Sequence, residues 1–265
     1  MSVNFPYLGR RRARKFWPRP SVVLWQLVIL TLFWAGALGQ FSSGVSSGCY
    51  SLQGSKYCGV GFGDYQLSSF IQVGGVTVSN LAQFDRVLDQ YFASGSNVDD
   101  INREFGCNGW DGTNGPRYRV SYLCRSYLAE PASQRCNTNN PPVPLCRSTC
   151  LEYTEGWTPM VTNTTACPSQ GLTLSIWSDL MSTCDSSYYD GTADDQCVDG
   201  QKNEVATCGF LPTARDAICA YCTSSQDACC EDAHKSYHCD ALNDNQDSLG
   251  KVTSANHSGL SPGQI

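Results

Sequence analysis

Apolar positions recur at three- and four-residue steps in several stretches of the chain. After Asn80, placed as an N-cap, Leu81, Phe84, Val87, Leu88, Tyr91 and Phe92 fall on one face, with Asp85, Arg86 and Asp89 off it. This predicts an amphipathic helix over 81–93, ended by the Ser- and Gly-rich run at 93–97. Pro116 can open a second helix, in which Tyr118 pairs with Tyr122 and Leu123 with Tyr127 at i,i+4, and Pro131 ends it. Cys146 and Cys150 lie one turn apart, so a short helix would present both on one face. Leu174, Trp177, Leu180, Met181 and Cys184 form a further stripe over 172–184. Short strands are hinted at only by IQVGGVTV at 71–78. The expected class is therefore mainly α.

Within the first forty residues, the run at 21–39 has no polar face. Arg10, Arg11, Arg12, Arg14, Lys15 and Arg19 precede an apolar run, Ser21–Gly39, that ends on small residues. This pattern fits a cleaved secretory signal, and at ~1.5 Å per residue the run also reaches across a ~30 Å hydrocarbon layer as a retained anchor. Either way Lys/Arg stay in the cytoplasm and residues 40 onward are exported. The expected organisation is a basic region plus signal or anchor at 1–39, a cysteine-rich domain at 40–190, a small cysteine-rich module at 191–240, and a polar tail at 241–265. That tail has too few large apolar residues to offset its ordering entropy, and disorder is expected there.

Composition sharpens the address. The net charge of −6 hides an asymmetry, because residues 1–39 hold six of the eighteen Lys/Arg and none of the Asp/Glu. The exported part is strongly acidic and would repel a phosphate backbone, which argues against nucleic acid as a partner. All sixteen cysteines lie in it: Cys49, Cys58, Cys107, Cys124, Cys136, Cys146, Cys150, Cys167, Cys184, Cys197, Cys208, Cys219, Cys222, Cys229, Cys230 and Cys239. In an oxidising compartment these become up to eight disulfides. If Cys146 and Cys150 share a helix face they cannot bridge each other, and each reaches a later segment, with Cys167 and Cys184 the nearest candidates. Asn163 and Asn256 stand in Asn-x-Ser/Thr sequons and are the candidate glycosylation sites.

Candidate chemistry is weak by comparison. Gly44-Val45-Ser46-Ser47-Gly48 imitates a nucleophile elbow without the strand before it or the helix after it. Cys219, Cys222, His234, His238 and Cys239 could assemble a zinc site, but exported thiols pair with one another first. Asn243, Asn245 and Asp247 begin like a calcium loop that lacks its glycine and closing glutamate. The Gly59, Gly61, Gly63 turn lacks the lysine and capped helix of a phosphate loop. The acid pairs Asp99-Asp100 and Asp194-Asp195 sit in loop-like sequence and read as solvated surface. Trp110, Trp157 and Trp177 either pack in the core or line a groove. No catalytic residue, metal ligand or cofactor is assigned.

The cysteine order carries the most specific signal. Cys49-x8-Cys58, Tyr122-Leu123-Cys124, Cys136 and Pro144-Leu145-Cys146-Arg147-Ser148-Thr149-Cys150 resemble the Frizzled-type cysteine-rich domain over about residues 49–184, most clearly from Cys107 to Cys150. Pro144 stands one residue early for that pattern, and Trp157 stands where it has a further cysteine. The resemblance implies a compact, mostly helical, disulfide-tied fold with Cys49–Cys136 and Cys58–Cys124 bridges. It also implies binding of lipids or lipid-modified proteins in a groove whose residues the motif does not fix. Cys208-Gly209-Phe210, Cys219-Ala220-Tyr221-Cys222 and Cys229-Cys230 are similar to the ends of cysteine-rich ectodomains in fungal surface proteins.

These readings together predict a non-enzymatic extracellular recognition domain at the cell surface or secreted, such as a receptor or sensor ectodomain. Its ligand is a lipid, glycan or protein, and Ser21–Gly39, if retained, adds the membrane as a partner. The rivals are a secreted enzyme acting on cell-wall glycans through a carboxylate pair, and a structural wall or adhesion protein.

Overall fold

The computed structural model describes residues 48–113, 115–192 and 196–239. The apolar run at 21–39, the GVSSG sequence, Asp194-Asp195, the Asn243–Asp247 segment, Asn256 and the tail lie outside the described residues. Among the described residues no helix is long and apolar enough to cross a membrane.

The architecture of the described residues is mainly helical, with four short strands. β1 (Cys49–Ser51) pairs antiparallel with β2 (Gln66–Ser68), and β3 (Gln72–Val73) pairs with β4 (Val76–Thr77). The strand hint at 71–78 is thus a tight hairpin around Gly74-Gly75. Among the described residues ten α-helices follow: α1 (Leu81–Ala93), α2 (Ser96–Phe105), α3 (Arg119–Ala129), α4 (Pro131–Cys136), α5 (Arg147–Glu155), α6 (Thr158–Val161), α7 (Gln170–Ser182), α8 (Gly200–Asn203), α9 (Arg215–Ser224) and α10 (Cys229–Tyr237).

α1 starts where the sequence places it. The Asn80 side chain accepts from the Gln83 amide at 2.9 Å, and the Gln83 side chain accepts in return from the Ser79 amide at 3.0 Å. Phe84, Val87, Leu88, Tyr91 and Phe92 are buried, as the periodicity requires. Asp85 and Asp89, on the other face, hold the loop at 55–57: Asp85 accepts from the Ser55 hydroxyl and Lys56 amide, and Asp89 from Lys56 and Tyr57.

Three sequence expectations are corrected here. Asp99-Asp100 belongs to helix α2 rather than a loop, and Asp100 is buried against Arg103. The helix after Pro116 begins at Arg119, because Tyr118 takes a left-handed conformation (φ 57°). The stripe over 172–184 is split: Trp177 and Leu180 pack against the core, whereas Leu174 is exposed. Thr173 is the fully buried residue of α7, its hydroxyl bonding the Phe105 carbonyl at 2.8 Å. That contact with the C-terminal end of α2 turns Leu172 and Leu174 outward. Cys184 lies past α7, in a 3-10 turn at Thr183–Asp185.

α3 is the axis of the body. Every residue from Arg119 to Ala129 is buried, including Arg119, Ser121, Arg125 and Ser126. Burying guanidinium groups is costly, so they are placed over rings: Arg125 lies 4.8 Å from the Tyr188 ring centroid. Beside α3 the rings stack. Tyr122 lies between Tyr153 at 4.2 Å and Tyr189 at 4.8 Å, and Trp157 meets Phe105 and Trp110 at 5.5 and 5.2 Å. Pro131 ends α3 and opens α4 at once.

All sixteen cysteines are paired. Cys49–Cys136, Cys58–Cys124, Cys107–Cys167, Cys146–Cys197 and Cys150–Cys184 tie the body. Cys208–Cys229, Cys219–Cys239 and Cys222–Cys230 tie the C-terminal module. Cys150 thus reaches Cys184, whereas Cys146 reaches past both sequence candidates to Cys197, and Cys167 is taken by Cys107. The chain at 191–198 returns to α5, with Gly191 and Val198 bridging Cys146 and Leu145.

Candidate functional site

The joint between body and module frames the site. Tyr118 packs against Gly200 and Gly209, where an added Cβ would meet its ring at 2.6 and 2.5 Å. Gly209 also has φ of 84°, so glycine serves there both for conformation and for close approach. The Gly200 amide donates to the Thr149 hydroxyl at 2.9 Å, and Asn203 bonds the Gly61 amide and the Ser121 hydroxyl. Glu204 accepts from the Ser121 amide at 2.7 Å, capping α3 from the module side. Burial pushes the Glu204 carboxyl up to about 8, its hydrogen bond to Ser121 pulling the other way. Arg117 is sandwiched between the Tyr118 and Tyr221 rings, 4.7 and 4.4 Å from their centroids, and ion-paired to Glu152 and Asp227.

Above this joint lies a cavity of about 670 Å³. That volume is within the range of small-ligand sites. Three segments form its wall: the α1–α2 corner around Phe92, Asn97 and Val98, residues 110–113 and 115–116 with Arg119, and the module face from Phe210 to Ala220. Each is held. The Asn97 side chain donates to the Phe92 carbonyl at 3.1 Å and fixes the corner. Asn102 bonds both backbone groups of Trp110, whose indole N–H donates to the Thr113 carbonyl at 2.7 Å. Phe210 packs edge-on to Tyr221.

The cavity wall is mixed in chemistry. Phe92, Val98, Trp110, Phe210 and Leu211 supply apolar surface, and Asp111 and Asp216 supply the carboxylates. Asp111 is held below the usual carboxylate range by hydrogen bonds from the Thr113 hydroxyl and amide. A glycan-cleaving pair needs one carboxyl raised so that it can donate a proton. The most strongly raised carboxyls are Glu204 and Glu104, the latter pushed up to about 7 by burial, and both stand outside the wall.

The sequence candidates are dispersed. Trp110 lines the cavity, Trp157 is buried behind it, and Trp177 is partly buried with its indole N–H on the Thr154 carbonyl. Cys219 and Cys222 bridge to Cys239 and Cys230, so no thiolate is left for the metal set that His234 and His238 would complete. The sulfurs of Cys208, Cys229 and Cys230 converge, but all three are in disulfides. Asn163 is exposed in a turn, its side-chain oxygen accepting from the Thr165 and Ala166 amides. Sequence reasoning missed Arg119 and Glu204, because charged residues are rarely buried and neither stands in a motif.

No family model matches this chain, and neither does any curated protein or solved structure. The many disulfides point to an oxidising extracellular or secretory environment.

Proposed function

We propose that the protein is a non-enzymatic extracellular recognition domain whose ligand seats between the body and the C-terminal module. The single observation behind this is the cavity of about 670 Å³ at that joint, walled by fixed aromatic side chains and a few polar groups. A Frizzled-type body is part of the reading and is supported by the Cys49–Cys136 and Cys58–Cys124 bridges, the two that the family resemblance implies. The chain is exported through Ser21–Gly39, either anchored by it or released from it, and Asn163 carries a glycan on its exposed turn.

The full chain, made in a eukaryotic secretory host, is screened for thermal stabilisation by lipids, glycans and small metabolites, beside Ala217→Trp, which fills the cavity from α9. A stabilising compound that loses its effect in Ala217→Trp is the expected result. Stabilisation untouched by the filled cavity moves the seat elsewhere and overturns the reading. The glycan-cleaving rival wins if cell-wall glycans are hydrolysed and Asp111→Asn or Asp216→Asn abolishes the turnover.

A further inference from the structure

Arg119 opens α3 and forms part of the cavity wall, yet it is only 1% exposed. Its Nε and Nη2 donors have no hydrogen-bond partner. These two nitrogens form one edge of the guanidinium, the edge that takes both oxygens of a carboxylate side-on. The ring cage around it, Tyr91, Phe92 and Trp157 at 5.6–5.9 Å, supplies cation–π attraction, and the Tyr91 hydroxyl lies near it, a single neutral oxygen that leaves the charge of the two-donor edge unmatched.

The acids nearby do not complete it. Asp100 is engaged by Arg103. Glu104 is pushed up to about 7 by burial, so near neutral pH much of it is uncharged. Buried donors without acceptors are rare and costly, and a fork-shaped pair of them beside a cavity defines the acceptor that would fit. Phe92 belongs both to the cage and to the cavity wall, and Arg119 itself is part of that wall, so the edge and the cavity share a boundary. The rest of the wall selects the body of the ligand. Phe92, Trp110 and Phe210 offer ring surfaces, while Asp111 and Asp216 disfavour a polyanion. Arg215, also in the wall, is committed to the Tyr237 and His238 carbonyls.

We propose that the cavity binds a small aromatic carboxylate, its oxygens on the Nε–Nη2 edge of Arg119 once Phe92 moves aside, and its ring among Trp110, Phe210 and Phe92. This rests on the reading of the cavity as the ligand seat and adds the class of ligand.

Titration calorimetry on the full secreted chain tests it with indole-3-acetate and its uncharged isostere indole-3-acetamide. The acid is expected to bind at least about tenfold tighter, the ratio that a charge-assisted bidentate pair supplies. Ala217→Trp leaves Arg119 in place and abolishes binding of the acid. Arg119→Gln removes the preference for acid over amide. If Arg119→Gln fails to fold, the acid-to-amide ratio on the natural chain together with Ala217→Trp decides. Equal affinity for acid and amide overturns the anion anchor and leaves the cavity reading standing. No binding of the acid at millimolar concentration to the folded chain overturns the ligand class, and the thermal screen then judges the cavity by itself.

Discussion

The body and the C-terminal module reach order by different routes. The body buries a continuous aromatic and aliphatic core around α3, and its bridges join residues 34 to 87 positions apart. The module's core consists of Cys208, Ile218, Cys222, Cys229, Cys230 and Ala233, flanked by Phe210, Tyr221 and Tyr237. Its bridges span 21, 20 and 8 positions. Four of those six core residues are half-cystines, so in the module the disulfides are themselves the core. In the body they staple a core that already exists. A unit as short as 191–240 buries too little apolar surface to hold alone, which is where covalent ties become necessary.

The largest expected effect tests the body. Cys49→Ser with Cys136→Ser opens a loop of 87 positions, worth about 4.6 kcal/mol by loop entropy, and should stop secretion. Cys222→Ser with Cys230→Ser opens 8 positions, worth about 2.5 kcal/mol. Its damage should stay within 208–239, seen as lost amide protection there with the body still protected. Loss of protection throughout the body in the second variant would break the distinction between the regions.

Ile218→Ala comes next, at about 3 kcal/mol for a fully buried aliphatic side chain. It removes the module's one large buried aliphatic residue among the described positions. Hydrogen exchange should register local unfolding of α9 and α10 before any change in α3.

Glu204 sharpens the comparison at the joint. Its carboxyl is raised from 4.5 to about 8 in the folded protein, so the folded state holds its proton more tightly than the unfolded chain. Stability from this group is complete below pH 4.5 and is lost as pH rises through about 8. The expected loss is on the order of 2 kcal/mol between pH 5 and 8, discounted for water reaching the joint. Denaturant midpoints across that window should flatten in Glu204→Gln, and an unchanged slope would remove Glu204 from the joint's energetics. Glu104 is raised in the same sense from its half-buried site, so Glu204→Gln should leave a residual slope.

Arg117→Met keeps the side-chain stem between Tyr118 and Tyr221 and removes the charge. A loss of about 1 kcal/mol is expected, since the ion pairs to Glu152 and Asp227 are partly exposed. Val60→Ser, at a position 86% exposed, should shift the melt by less than about 0.5 kcal/mol and serves as the surface control.

Much of the local structure was legible before any coordinates. The period of α1, its Asn80 cap and the mainly helical class follow from side-chain spacing and capping chemistry, which act within a turn or two. α2 was missed because Asp99-Asp100 reads as solvated sequence, and Asp100 is buried only where α2 packs. α7 was read in part: Trp177 and Leu180 pack on the core as the stripe suggests, but the fully buried residue is a small polar one, Thr173, whose partner is the distant Phe105 carbonyl. The cavity was not legible at all, since its wall joins residues near 92, 110 and 215 that the sequence keeps far apart.

Cysteine number and helical periodicity are properties of neighbouring residues, and the sequence by itself determined them: a disulfide-rich, mostly helical chain suited to an oxidising environment. Partner choice among sixteen thiols, the burial of Arg119 and Arg125 along α3, and the raised carboxyl of Glu204 depend on which distant segments meet. Only the tertiary structure decided these, because desolvation, ring stacking and bridge geometry act through space and leave no period along the chain.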